Sequence, residues 1–398
     1  MPFVYRTKRL PRRAPMFDRA PKYPLVSLLV ALVGTAGCAG NGRSPQMMPG
    51  TTMPGTTAVN RNRPATSTGG YSLTDLCPLA KDAPCEVGKG GYFFFALGGA
   101  LNNSGEAAGT STDSSEEPTA TLFQNGKIKN LNTLGAMSSG GMAISASGQV
   151  AGMEKPSSDP VAGHAFLYRN GKMTDIENSS LFPNGSQAYG INKAGQVVGV
   201  GLITGEEFHA FLYSGGKMVD LDPFGGVQSW ATSINDLGEI IGSACCLSSG
   251  ATVTTWLYAN GTFTNLSETN SGLFINNDGR IVGVNNSGHA ALYSNGSWTD
   301  LGAFQGHATE ALGINTSGQI VGFALILARN KKCPSCGEQD ESRGLIFTSS
   351  GAVDLNTLIP PSSGFTIREA IGINDSGQIV TDAENSGGVF HAVLLTPT

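Results

Sequence analysis

From residue 71 onward the apolar positions of this chain fall in short runs broken by glycine and asparagine, with few stretches at helical spacing. Residues Ala188-Tyr189-Gly190-Ile191 and Gln196-Val197-Val198-Gly199 flank Asn192-Lys193-Ala194-Gly195. Asparagine can cap a type I turn through its side chain, and glycine takes the left-handed position after it, which predicts a tight hairpin. A second hairpin pairs His209-Ala210-Phe211-Leu212-Tyr213 with Lys217-Met218-Val219-Asp220-Leu221 around Ser214-Gly215-Gly216. Other copies of that turn hold Asn170-Gly171, Asn260-Gly261 and Asn295-Gly296, a strong short hairpin signal. Apolar residues dominate both inner strands, as expected of sheets covered on both faces.

This four-strand unit recurs. Its turn glycine falls at Gly105, Gly148, Gly195, Gly238, Gly279, Gly318 and Gly377, at spacings of 43, 47, 43, 41, 39 and 59 residues. A period of about 45 in a strand-rich chain is the size of a propeller blade. Ser72-Leu73-Thr74-Asp75-Leu76 matches the fourth strand of the unit, seen again at Thr174-Asp175-Ile176, Thr299-Asp300-Leu301 and Val353-Asp354-Leu355, yet it precedes the first hairpin. The last unit stops after its third strand, His391-Ala392-Val393-Leu394-Leu395. The early strand therefore completes the last blade, which removes the exposed edges of an open array. The expectation is an all-β, seven-bladed β-propeller of four-stranded blades, closed by residues 71–76. Its blades span about 92–131, 141–176, 187–221, 230–266, 272–301, 309–355 and 366–395. An open solenoid is the alternative, and it leaves the offset between the two ends unexplained.

Both tight turns then lie on one face of the disc. The links between second and third strands and between blades lie on the other, and they vary: 201–207, 243–252, 267–271 and, longest, 323–342. Variable loops on a rigid scaffold are where propellers bind, so this face is the expected ligand face. Glu206, Glu207, His307, Glu310 and Glu384 are its candidate groups.

Composition agrees with a turn-dense β protein: 55 glycines, 14% charged residues, and a mean hydropathy of −0.05 that excludes a multi-span membrane protein. Residues 1–38 differ. Arg12, Arg13, Arg19 and Lys22 precede an apolar run, Leu25 to Val33, too short to span a bilayer, so the segment reads as a signal peptide. Met16 is an alternative start to Met1. Residues 39–70 are Gly, Pro, Thr and Ser with almost no aliphatic content and read as a flexible tether reaching on the order of 30 Å. Residues 1–38 carry seven Lys/Arg and one acid, which leaves 18 bases and 29 acids, a net −11, in the rest. Such a balance argues against a nucleic-acid partner.

Two resemblances add to this. His164-Ala165-Phe166-Leu167-Tyr168 and His209-Ala210-Phe211-Leu212-Tyr213, with Gly313-Ile314-Asn315 to Gly322, resemble the bacterial extracellular repeats of the HAF (His-Ala-Phe) family over roughly residues 71–398. The resemblance implies an extracytoplasmic setting and brings no catalytic residues. Thr254-Thr255-Trp256 and Arg343-Gly344-Leu345 depart from the motif. Thr35-Ala36-Gly37-Cys38 resembles the lipobox of bacterial lipoproteins, with Thr35 where leucine is usual, which implies lipidation of Cys38. Ordinary signal-peptidase cleavage nearby is the alternative.

The other six cysteines form local pairs, Cys77/Cys85, Cys245/Cys246 and Cys333/Cys336, which in an exported chain favours disulfides. Cys245/Cys246 reads either as a vicinal bridge or as partners of other cysteines. Cys333-Pro334-Ser335-Cys336 reads as a loop staple, half a zinc site or a redox pair; no second Cys-x-x-Cys and no helix N-terminus accompany it. His164, His209, His289 and His391 occupy one position at the start of the third strand, too far from the axis to share a metal, and read as framework residues bonding a neighbouring loop. The Asp-containing turns lack the spaced carboxylates of a calcium loop. No phosphate loop or nucleophile elbow is present.

The sequence thus leads to a monomeric, lipid-anchored protein of the cell envelope, periplasmic or surface-exposed, needing no metal or cofactor. It would be a non-catalytic binding or scaffolding module for an envelope protein or glycan. The alternative is a propeller enzyme, hydrolase or lyase, with its site over the central channel.

Overall fold

The computed structural model describes residues 70–77, 85–87, 98–112, 117–124, 126–158, 163–203, 207–225, 228–245, 253–267, 270–329 and 338–398. They form seven four-stranded antiparallel sheets, a seven-bladed β-propeller. Blade three shows the plan: Ser186–Ile191, Val197–Leu202, Phe208–Ser214 and Lys217–Asp220 pair in that order from the axis outward. The side-chain Oδ1 of Asn192 accepts the N–H groups of Ala194 and Gln196, and Gly195 sits at φ +77°, the turn chemistry the pattern predicts. All seven turn glycines lie between +71° and +87°.

A second glycine is equally constrained. The first strand of each of blades two to six carries a bulge, and the second strand passes close beneath it. A Cβ on Gly199, Gly283 or Gly322 would lie 1.8–1.9 Å from the first strand's carbonyl oxygen. That contact explains the glycine closing each Val-Val-Gly or Ile-Val-Gly run.

Blades bury their faces against one another. Leu167 of blade two packs with Ile191 and Phe211 of blade three in one cluster, and Phe166 with Leu122 of blade one in another. Each fully buried side chain of this size contributes about 1.5–3 kcal/mol. The ring closes as expected: Tyr71–Asp75 pairs with Phe390–Pro397 as the fourth strand of blade seven, from Tyr71↔Pro397 to Asp75↔Val393.

Two segments differ from the sequence reading. In blade one the first strand is Cys85–Val87, before the boundary drawn at 92, and it pairs with Gly109 to Ser111. The repeat's own first-strand position holds a short 3₁₀ turn, Gly98–Ala100, and a bridge from Leu101 to Ala107. Two glycines and an alanine lack the β-branched bulk that favours a strand. The long 323–342 link is also largely strand. Ile320–Arg329 and Glu338–Thr348 stay paired out to Arg329↔Glu338, five pairs beyond the end of blade six's first strand. At about 3.3 Å per residue they form an arm projecting roughly 17 Å from the variable face.

Candidate functional site at the two ends of the central channel

On the turn face the last apolar residue before each first turn converges on the axis, from the first strand in blades two to seven and from the bridge at Leu101 in blade one. Leu101, Ile144, Ile191, Ile234, Ile275, Ile314 and Ile373 line a funnel of about 140 Å³ with the turn residues around it. Outside this apolar ring the turn asparagines join blade to blade. Asn192 Nδ2 donates to Asn235 O at 3.1 Å, Asn235 to Asn276 O at 3.1 Å, Asn276 to Asn315 O at 3.0 Å and Asn315 to Asn374 O at 3.0 Å. Asn374 then donates across the closure to Asn102 O at 3.1 Å, and Asn102 to Ser145 O at 3.2 Å. Blade two has Ser145 where the others have asparagine, so no amide reaches from there to Asn192.

The channel itself is filled. Leu101, Met142, Tyr189, Trp230, Leu273, Leu312 and Ile371, one from each blade, form one buried cluster. The 3₁₀ turn Gly98–Ala100 touches the first strands of blades two, three, five, six and seven, so blade one plugs the axis with its own backbone. The two small glycines that fail as a strand are what fit here; a Cβ on Gly99 would already lie 3.3 Å from Ala143 Cβ.

Toward the variable face, five residues before each turn asparagine, the first strands carry Gln187, Trp230, Glu310 and Glu369 at one level. Tyr189 Oη donates to Gln187 Oε1 at 3.2 Å. Glu310 is 3% exposed, and its Oε2 makes no hydrogen bond. Burial, then the negative charge of Glu369, pushes its carboxyl well above the usual carboxylate range. A buried carboxyl with a raised pKa beside a second acid is the pairing used for acid–base work, and it is equally what burial in a core does to any glutamate.

The other candidate groups do not converge with it. Glu384 accepts from Arg368 Nε at 2.9 Å and Nη2 at 2.5 Å, and Arg368 also meets Glu341 at 3.2 Å, as does Arg343 at 3.0 Å. Glu384 is therefore fixed in an ion cluster between blades six and seven. Glu207 is exposed at the second link of blade three, 4.0 Å from His209. His307 sits in a turn whose backbone bridges to Phe304. Glu206, Cys38, Cys246, Cys333 and Cys336 lie outside the described residues, as does the side chain of Cys85.

Cys77 is disulfide-bonded, and Ala392 N–H donates to its sulfur at 3.2 Å. Cys245 corrects the expectation of a bridge at that pair: it keeps a buried thiol, whose Sγ–H donates to Gln228 Oε1 at 3.2 Å. Burial pushes this thiol up to about 11, so it is not a nucleophile near neutrality.

The repeat histidines are framework residues, but their partner is the fourth strand of the same blade rather than a loop. His164 Nδ1 lies 2.8 Å from Asp175, His209 2.9 Å from Asp220 and His289 3.1 Å from Asp300. His391 lies 3.0 Å from Asp75, so the closing strand supplies to blade seven the aspartate that the other blades carry in sequence. The constant spacing of eleven residues from His164, His209 and His289 to their aspartates was the signal available in the sequence.

No family model matches the chain, and no match is found among curated proteins. Among solved structures, the β-propeller domain of the Trilobed protease from Pyrococcus furiosus, described as having an open Velcro topology, is similar at a TM-score of 0.50 and 11% identity. The likeness covers 80% of this chain and 98% of that one. TolB from Acinetobacter baumannii is similar at a TM-score of 0.40 and 12% identity, covering 83% of this chain and 80% of that one. The first of these likenesses concerns the fold and agrees with the seven sheets: this chain is a β-propeller.

Proposed function

We propose that this protein is an extracytoplasmic, lipid-anchored propeller of the HAF-repeat type that acts as a binding or scaffolding module for an envelope protein or glycan. The observation that carries the reading is the division of labour between the two faces. The turn face is uniform and tied blade to blade, whereas the variable face bears the unequal links and the blade-six arm. The filled axis leaves binding to that outer face. Within the same reading, Cys38 carries the anchor, Cys77 pairs with Cys85, and Cys333 with Cys336.

The test is crosslinking and affinity purification of the tagged protein from detergent-solubilised membranes, beside a variant whose arm is cut back at Leu325 and Ser342 and rejoined by Asn-Gly. A partner held by the parent and lost by the short-arm variant supports the reading; equal recovery by both removes the arm from it. A second reading, a hydrolase or lyase, rests on the buried Glu310, whose Oε2 makes no hydrogen bond, at the same level as Glu369. It requires a glycan or ester turnover that Glu310→Gln abolishes without changing the fold.

A further inference from the structure

Blade two differs from the other His–Asp blades at one position. Its second strand places Glu154 directly opposite His164, whereas Gly201 faces His209 and Ala383 faces His391. Glu154 is 2% exposed, and its Oε2 has no hydrogen-bond partner. One ligating atom each of Glu154, His164 and Asp175 lie within 4.8 Å of one another. Glu177 adds further negative charge close to His164, but its own carboxylate is engaged, by Ser186 Oγ–H and by the Asn178 N–H at 3.0 Å. Three carboxylates thus surround one imidazole at the end of a buried strand, and a buried carboxylate with an unused oxygen is costly unless something compensates it.

We propose that Glu154, His164 and Asp175 form a binding site for one divalent first-row transition-metal cation, with water completing the coordination. An imidazole with two carboxylates suits zinc or manganese better than calcium, which takes oxygen ligands throughout. Tetrahedral zinc, with bonds of about 2.0–2.2 Å, holds its ligand atoms roughly 3.3 Å apart, so rotation of the Glu154 side chain brings the set into range. Glu177, bonded to Ser186 of blade three, remains an outer charge, and the site would tie the second, third and fourth strands of blade two together. The other candidate cluster, Asp75, Cys77 and His391, lacks a thiolate because Cys77 is disulfide-bonded.

The experiment uses the full purified chain, untagged, stripped with chelator and dialysed, in a Cys333→Ser/Cys336→Ser background that removes the arm's thiols. Zinc is titrated in competition with a chromophoric chelator, and thermal melts are recorded with and without it. One equivalent should bind with a Kd below about 10 μM and raise the melting temperature. Glu154→Gln should weaken binding at least tenfold and abolish the thermal shift, while His209→Gln in blade three leaves both unchanged. His164→Gln and Asp175→Asn carry the same test should Glu154→Gln not fold. Binding that is equal in Glu154→Gln, absent from the parent, or present only while Cys333 and Cys336 are intact would overturn the site.

Discussion

The gap in the asparagine ring gives the sharpest test of what holds the disc together. Six of the seven junctions carry a turn-asparagine amide bonded to the carbonyl of the equivalent residue in the next blade; the seventh has Ser145. In the present structure Ser145 Oγ accepts from the Gln149 N–H at 3.1 Å, and Gln149 Nε2 donates to Ser147 Oγ at 2.9 Å and, across the junction, to Lys193 O at 3.4 Å. Ser145→Asn would keep the turn cap and add two bonds seen elsewhere. One runs to Asn192 O and one to Gln149 Oε1, as Asn192 already does to Gln196 Oε1 at 2.8 Å. Each net hydrogen bond is worth about 0.5–1.5 kcal/mol, and ordering the longer side chain takes back part of it, so the gain is about 1 kcal/mol. With an unfolding entropy of about 2.1 cal/mol/K per residue over roughly 330 residues, that raises the melting temperature by about 1–2 °C. The converse, Asn235→Ala, removes the bonds to Asn276 O and Glu239 and the cap on Leu237 and Glu239. It should cost about 2–4 kcal/mol, or roughly 3–6 °C. Differential scanning calorimetry of the three proteins decides it. A Ser145→Asn variant that melts at or below the parent temperature would refute the claim that these amides stabilise the ring.

Gly283→Ala places a methyl 1.8 Å from Ser271 O and should cost at least about 3 kcal/mol, seen as a lowered denaturant midpoint or loss of soluble protein. Without metal, Glu154→Gln should be the more stable protein above pH 7. Burial first, then the charge of Asp175, raises the Glu154 carboxyl to about 7, so the parent loses stability as pH rises from about 4.5 through 7. The difference should reach about 3 kcal/mol and vanish below pH 4, which urea melts at pH 4 and 8 will read. For His209 the sign is the same by a different route. The hydrogen bond to Asp220 raises its pKa against the effect of burial, so its contribution is full below about pH 6 and lost as pH rises through the folded-state value. Asp220→Asn should flatten that part of the pH–stability profile. Cutting back the blade-six arm should lower the melting temperature by no more than about 3 °C, since all it removes from the blades is the packing of Ile326 and the ion pairs of Glu341 with Arg343 and Arg368.

What could be read from the chain was whatever repeats. The Asn-x-x-Gly turns, the seven blades and the clasp at residues 71–76 follow from local turn chemistry and from a period that survives variation in length. The departures sit where the repeat lapses. Gly98-Gly99-Ala100 carries no strand signal, so its place in the channel is set by the space the other six blades leave. The 323–342 segment read as a loop because pairing beyond the common blade length has no counterpart in the other units. Glu310 was nominated as a surface group, yet strand position puts it in the wall of a filled channel. Glu154 was missed altogether. Which residue faces His164 depends on the length of a variable link, so no fixed spacing announces it.

The pairing of Tyr71–Asp75 with Phe390–Pro397 also acts as a check on chain completeness. The strand synthesised first has no partner until the last third strand arrives. A product that stops short of residue 390 therefore keeps an unpaired edge at each end of its array, the kind of surface that proteases and aggregation select against. The chain thus withholds its finished ring from every incomplete copy of itself.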